Sequence, residues 1–141
     1  MTEPAILFVD DDAALREANV QTLELAGLAV QPFPGAQAAL GAISPSFAGA
    51  VITDIRMPGM DGLQFFERIR AIDPEIPVIL ITGHGDVPMA VRALQDGAFD
   101  FLAKPFAAGH LAASAAKAPA ARPLVPHNRR VAAAAAAASA G

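Results

Sequence analysis

Residues 51–62 read VITDIRMPGMDG. An apolar run, Val51 to Thr53, ends abruptly at Asp54 and then breaks into a loop rich in proline and glycine. A short apolar run bounded by turn signals is the pattern of a strand buried on both faces, as in a parallel sheet. Asp54 is therefore expected where the strand's carboxyl end meets solvent, the edge at which open α/β sheets bind their ligands.

Working outward, the same pattern recurs. Ala5 to Val9 is an apolar strand that stops at Asp10, Asp11 and Asp12; Val78 to Ile81 stops at Thr82; Phe99 to Ala103 stops at Lys104-Pro105. A further short strand is expected around Leu28 to Pro32. Between them lie helical stretches. Ala13 to Ala26 places Leu15, Ala18, Thr22 and Leu25 at helical spacing, with Gly27 as its stop. Gln37 to Ile43 is a weaker helix, and Gly62 to Ile72 carries Leu63, Phe66 and Ile69. Val87, Ala90, Val91 and Leu94 mark a helix opened by Asp86 and Pro88 and closed by Gly97, and His110 to Lys117 forms the last. Strands alternating with helices predict an α/β fold: a doubly wound, five-stranded parallel sheet with right-handed crossovers.

Composition narrows the function classes. The chain has 141 residues, suited to one domain. Its formal charge of −4 hides an asymmetry, because residues 1–104 hold all 14 acids and 6 of the 10 Lys and Arg, while residues 105–141 hold the other 4 bases and no acid. With no cysteine there is neither a disulfide framework nor a thiolate metal site, which suits a cytoplasmic protein. The start, MTEPAILFVDDD, lacks the basic n-region and long apolar run of a signal peptide. No stretch reaches the roughly 18–20 apolar residues of a membrane span.

The strand ends together make one chemistry. Asp10 and Asp11, Asp54, Thr82 and Lys104 all fall at the same edge of the expected sheet. Neighbouring carboxylates raise one another's pKa unless a cation or donor offsets them. Mg²⁺ wants oxygen ligands, keeps several waters, and commonly takes one or two carboxylates plus a phosphate. Asp54 with Asp11, Asp10 through water, and the backbone carbonyl of a loop residue such as Arg56 could supply such a set. A carboxylate is a competent nucleophile toward phosphorus, giving an aspartyl-phosphate. Lys104 then offers a point charge to the phosphoryl oxygens, and Thr82 a hydroxyl donor.

These residues resemble the receiver domain of two-component response regulators: VDDD after the first strand, DIRMPGMDG around the acceptor, a threonine after the fourth strand and KPF after the fifth. The likeness covers roughly residues 5–110. More narrowly, DIRMPGMDGL, ITGHGDVPMAV and QDGAFDFLAKPF resemble the receivers of enhancer-binding activators that work with the alternative sigma factor, and among these the regulators of four-carbon dicarboxylate transport. The resemblance implies a flavodoxin-like fold and a phosphoacceptor switch rather than an enzyme. By position, Asp54 takes a phosphoryl group from a sensor histidine kinase, and Asp10, Asp11 and the Arg56 carbonyl complete the Mg²⁺ pocket. Lys104 binds the phosphoryl oxygens, the bond to Pro105 is cis, Thr82 moves toward the phosphoryl group, and Phe101 turns inward as the aromatic switch partner. It further implies homodimerisation through the fourth helix, fifth strand and fifth helix.

Plainer readings stand beside these. Asp12 and Asp61 each precede a helix and read as N-caps. Phe101 alternates with Phe99 and reads equally as core, and Arg56 is expected to face solvent with its main chain mattering more than its guanidinium. His84, His110 and His127 have no metal-ligand spacing. An aspartate-nucleophile phosphatase of the haloacid dehalogenase type needs a further acidic pair beyond the lysine, and no Asp or Glu follows Asp100. No GxxxxGK[ST] or GxGxxG follows any strand, which argues against a nucleotide-binding module. A protein-interaction module with a dead pocket predicts a missing acceptor or lysine, and both are present.

Residues 1–118 are thus assigned to the receiver, and 119–141 to a Pro/Ala-rich linker or disordered tail. Pro119, Pro123 and Pro126 are expected to interrupt the final helix. Ala132 to Ala138 favours helix without an amphipathic face to anchor it. Arg122, Arg129 and Arg130 are too sparse, and too devoid of aromatic neighbours, for a nucleic-acid arm. No ATPase signature or helix-turn-helix follows, so the chain reads as a fragment or a receiver standing alone.

Overall fold

A computed structural model of the chain describes residues 6–121, with the side chains of the last helix described as far as Ala118. It shows five strands, β1 (Ile6–Val9), β2 (Val30–Phe33), β3 (Ala50–Asp54), β4 (Val78–Thr82) and β5 (Asp100–Ala103). Alternating with them are α1 (Ala13–Leu25), α2 (Ala36–Leu40), α3 (Gly62–Ile72), α4 (Val87–Gln95) and α5 (Ala108–Ala121), with a short 3-10 turn, His84–Asp86, leading into α4. Every strand pair is parallel, in the order β2-β1-β3-β4-β5. The order reverses direction between β1 and β3, the switch point at which doubly wound sheets open a crevice.

The central strands read as they do because both faces are covered. Along β1, β3 and β4 alternate residues enter two separate cores. Leu7, Val9, Val51, Val78 and Leu80 pack with α2, α3 and α4 through Ala36, Ala39, Phe65, Phe66, Ile69, Ala90 and Ala93. Ile6, Phe8, Ala50, Ile52, Ile79 and Ile81 pack with α1 and α5 through Leu23, Leu111, Ala115 and Ala118. Each fully buried Leu, Ile or Phe among them contributes about 1.5–3 kcal/mol of transfer free energy.

Several elements depart from expectation, each for a physical reason. β2 runs Val30–Phe33 rather than Leu28 to Pro32. It is an edge strand, so Pro32, which lacks a ladder donor, is tolerated inside it. α2 ends at Leu40, and Ile43 is buried in the turn beyond it. On α1 the inward face carries Val20 and Leu23, whereas Leu15 is 43% and Leu25 82% exposed. The stripe inferred from Leu15, Ala18, Thr22 and Leu25 is rotated away from the sheet, because alanines on both sides of this helix blur its apolar face. The final helix extends past Lys117 and through Pro119 to Ala121. Pro119 forfeits one i→i−4 bond near the end of the helix, and burial of Leu111, Ala115 and Ala118 holds the preceding turns on the sheet. The readings made of residues 122–141 lie outside the described residues.

Asp12 caps α1 by accepting from the Leu15 N–H at 3.0 Å. Asp61 caps α3 in a reciprocal box: its carboxylate accepts from the Gln64 N–H at 2.8 Å, and the Gln64 side chain accepts from the Asp61 N–H at 3.0 Å. Among the described residues no helix is long and apolar enough to cross a membrane.

Candidate functional site

Parallel register brings the strand ends together. Val9 pairs with Thr53, so Asp10 and Asp54 follow side by side; Asp54 pairs with Ile81, and Thr82 with Ala103, so Thr82 and Lys104 complete the row. Pleating then sorts the side chains. Asp10, Asp54 and Lys104 have the parity of Phe8, Ile52 and Leu102, which enter the core under α1 and α5. Thr82 has the parity of Leu80, which faces α3 and α4.

Asp54 does not meet solvent as expected. It is 6% exposed, because the loop after it folds back over the strand end. The Gly62 N–H donates to the Ile55 carbonyl at 2.8 Å, closing that loop. A Cβ at Gly62 would collide with the Asp54 carbonyl oxygen and crowd Cα of Ile55. Within the recess Lys104 Nζ donates to Asp54 Oδ2 at 2.9 Å, and the Arg56 N–H donates to Oδ1 at 3.3 Å. The Lys104 side chain is 40% exposed, so its charge still reaches solvent. The Lys104 N–H donates to the Thr82 carbonyl at 2.8 Å, and the Lys104-Pro105 bond is cis.

The three consecutive acids take three different roles. Asp12 is the cap already described, Asp11 is exposed, and Asp10 is buried at 1% exposure. Asp10 Oδ1 accepts from the Asp12 N–H at 3.0 Å, and the Asp10 carbonyl accepts from Arg16 Nη1 at 2.7 Å. No described donor reaches Asp10 Oδ2. Burial pushes the Asp10 carboxyl above its ordinary value, the Asp12 N–H and Lys104 pull it back, and the charges of Asp54 and Asp11 push it up again; the net shift is upward. For Lys104, burial pulls the ammonium down, but the hydrogen bond and charge of Asp54, with Asp10 and Asp12 further off, outweigh it and hold it above its ordinary value.

A carboxyl with a raised folded-state pKa stabilises the fold below its unfolded value near 3.8, and that contribution is lost as pH rises through the folded value. At neutral pH without metal, ionised Asp10 is a net cost. Asp10→Asn is therefore expected to stabilise the fold at pH 7 in EDTA by about 1 kcal/mol, the usual size of a stabilising substitution, seen as a higher urea midpoint. The gain should shrink as pH falls through the raised folded value and vanish below the unfolded value near 3.8. A lower midpoint for the variant at pH 7 would contradict this electrostatic account.

Thr82 is fully buried, and its hydroxyl donates to the Gly83 carbonyl at 2.9 Å. Phe101 is half-buried and packs against the core on the α4 side, whereas Phe99 packs on the opposite face. Phe101 of β5 and Phe99, just before the strand, thus serve different layers. His84 and His110 are exposed, and His127 lies outside the described residues.

One pairing was not foreseen. Arg56 is exposed, as expected, with 77% of its side chain accessible, yet its guanidinium is engaged: Nε donates to Asp86 Oδ2 at 2.8 Å and Nη2 to Oδ1 at 2.7 Å. Asp86, read with Pro88 as opening α4, makes no side-chain cap bond and spends both carboxylate oxygens on Arg56. The hydrogen bonds from Arg56, ahead of the opposing effect of desolvation, hold the Asp86 carboxyl below its ordinary value. Ile55, Arg56, Met57, Pro58 and Gly59, with Met89 from α4, line a cavity of about 440 Å³ beside this pair.

The donor set suits a hard divalent cation. Asp10 presents a buried oxygen without a described hydrogen bond beside a second carboxylate, and the Arg56 carbonyl accepts no hydrogen bond among the described residues. No group of three or more His, Asp or Glu side chains among the described residues is arranged to hold a metal by itself. Such a site matches an ion that completes its shell with waters and a substrate phosphate.

Residues 6–116 match the response regulator receiver domain. The chain belongs to this family. This receiver is 58% identical over 138 residues to the C4-dicarboxylate transport transcriptional regulatory protein DctD of Rhizobium meliloti, covering 98% of this chain and 30% of that protein. It is 46% identical over 105 residues to the transcriptional regulatory protein FixJ of Bradyrhizobium diazoefficiens, covering 74% of this chain and 51% of the relative. A crystal structure of a response regulator receiver domain protein from Clostridium thermocellum superposes with a TM-score of 0.73 at 31% identity, covering 81% of this chain and 92% of that one. The receiver therefore spans about a third to a half of the length of these two regulators.

Proposed function

We propose that Asp54 of this receiver accepts a phosphoryl group from a phosphohistidine of a sensor kinase. The observation that carries the reading is the contact of Lys104 Nζ with Asp54 Oδ2 at 2.9 Å, beside the buried carboxylate of Asp10. A carboxylate oxygen of Asp54 forms a bond to phosphorus as the phosphorus–nitrogen bond to the kinase imidazole breaks, and the imidazole leaves with the electron pair. Lys104, already on the acceptor, stays close to the oxygens of the transferred group. Mg²⁺ would be held by Asp10, Asp11, Asp54 and the Arg56 carbonyl, and when bound it offsets the negative charge of the phosphoryl oxygens.

The product carries about −1.5 to −2 charge and three acceptor oxygens. Thr82 holds its hydroxyl on the neighbouring Gly83 carbonyl, a weak partner that a phosphoryl oxygen replaces at little cost. Movement of Thr82 frees space on the layer that Phe101 borders, and the paired shift of Thr82 and Phe101 changes the surface of α4, β5 and α5. That surface, which carries the 40% exposed Val91, is the proposed homodimer face. By likeness to DctD, the proposed output is transcriptional regulation of four-carbon dicarboxylate transport.

The test is incubation with acetyl phosphate and Mg²⁺, followed by intact-mass analysis and mapping of the modified residue. One phosphoryl group on Asp54, absent in EDTA, is the expected result. A folded protein that takes no adduct, or takes it elsewhere, would falsify the phosphoacceptor role and favour a protein-interaction module.

A further inference from the structure

We propose that Arg56 and Asp86 are positioning residues of the switch, tying the loop that follows the acceptor to the start of α4. The inference rests on the phosphoacceptor reading of Asp54 and concerns how a change there reaches α4. Arg56 touches both ends of that path. Its N–H donates to Asp54 Oδ1 at 3.3 Å, and its guanidinium grips Asp86, 30 residues away, through two parallel hydrogen bonds. Asp86 closes the 3-10 turn and immediately precedes the first residue of α4. Thr82 ends β4 just before the same turn. Displacement of the Arg56 backbone is therefore passed to the segment that holds both Thr82 and the base of α4.

The pair differs from an ordinary surface ion pair, which holds its partners loosely and contributes little. Both guanidinium–carboxylate bonds are short and the fork is bidentate, which fixes orientation as well as distance. Burial is also lopsided. The Asp86 side chain is 5% exposed and has no described partner besides Arg56, whereas the Arg56 side chain is 77% exposed. A carboxylate so enclosed keeps its partner, because losing it leaves a shielded charge unpaired. The Arg56 stem, open to solvent and lining the cavity that Met89 of α4 closes, has room to move without breaking core packing.

Hydrogen exchange, read by peptide mass with and without beryllofluoride and Mg²⁺, tests the coupling. Wild type is expected to respond both at residues 54–62 and at residues 84–95. The isosteric Asp86→Asn should keep the response at 54–62 while that at 84–95 falls about twofold or more, and Arg56→Gln should lose the response at 84–95 to the same degree. The double variant should lose no more than either single one. Unchanged exchange in the core strands certifies that the variants are folded, and Arg56→Lys, which keeps the charge but not the fork, should behave like Arg56→Gln. A full response at 84–95 in the single variants, additive losses in the double variant, or no response at 84–95 in wild type would overturn the proposal. No wild-type response at 54–62 would instead strike at the phosphoacceptor reading itself.

Discussion

Asp54→Asn is expected to abolish phosphorylation by acetyl phosphate while leaving the receiver folded. The substitution keeps the volume of the side chain but only one acceptor oxygen, so of the contacts at 3.3 and 2.9 Å, which are made to different oxygens, one survives in weaker form and the other is lost. What it removes is the anionic oxygen that attacks phosphorus; an amide is a far poorer nucleophile, and the loss of adduct should be complete within the sensitivity of intact-mass analysis. Lys104 then lacks a full counter-charge, but its side chain is 40% exposed and solvent compensates it. The urea midpoint should accordingly stay close to wild type. An adduct of equal amount in the variant would remove Asp54 from its role.

The legible part of this molecule is the part governed by short-range rules. A doubly buried strand must be apolar until it leaves the sheet, so Asp10, Asp54, Thr82 and Lys104 announce themselves as interruptions, and parallel register then aligns them. Caps are equally local, and Asp12 and Asp61 behave as their positions imply. Asp86 looked like the same kind of residue and is not, because an arginine 30 residues away offers its carboxylate two charge-assisted bonds where a cap offers one neutral donor. No spacing rule reports on a pair of loops that meet only after the sheet has formed. The inward face of α1 failed for a different reason. A helix with Ala13, Ala14 and Ala18 among its first residues has little contrast between faces, so two exposed leucines outweighed the single buried one, Leu23. The burial of Asp54 was hidden for a third reason: it depends on how close the returning loop comes, and that distance is set by a side chain that is not there.

That missing side chain gives the second large effect. Gly62→Ala is expected to destabilise the receiver by about 2 kcal/mol, seen as a lower urea midpoint with an unchanged slope, and to slow phosphorylation of Asp54 more than the loss of folded protein explains. The glycine is not needed for an unusual backbone conformation, since positive φ occurs at Gly27, Gly59 and Gly97 but not here. It is needed for space: an added Cβ meets the backbone of the acceptor residue and of Ile55, and neither can turn aside as a flexible side chain could. Gly62 also donates its N–H to the Ile55 carbonyl, so the clash cannot be relieved without breaking the bond that closes the loop. Helix propensity alone argues the opposite sign, since alanine at the first residue of α3 should stabilise by a fraction of about 1 kcal/mol. The steric term is larger and lies directly on the backbone that aims the Asp54 carboxylate at Lys104. A variant more stable than wild type, or one phosphorylated at the wild-type rate, would mean that the loop lifts off freely and that its close return does not set the geometry of the acceptor.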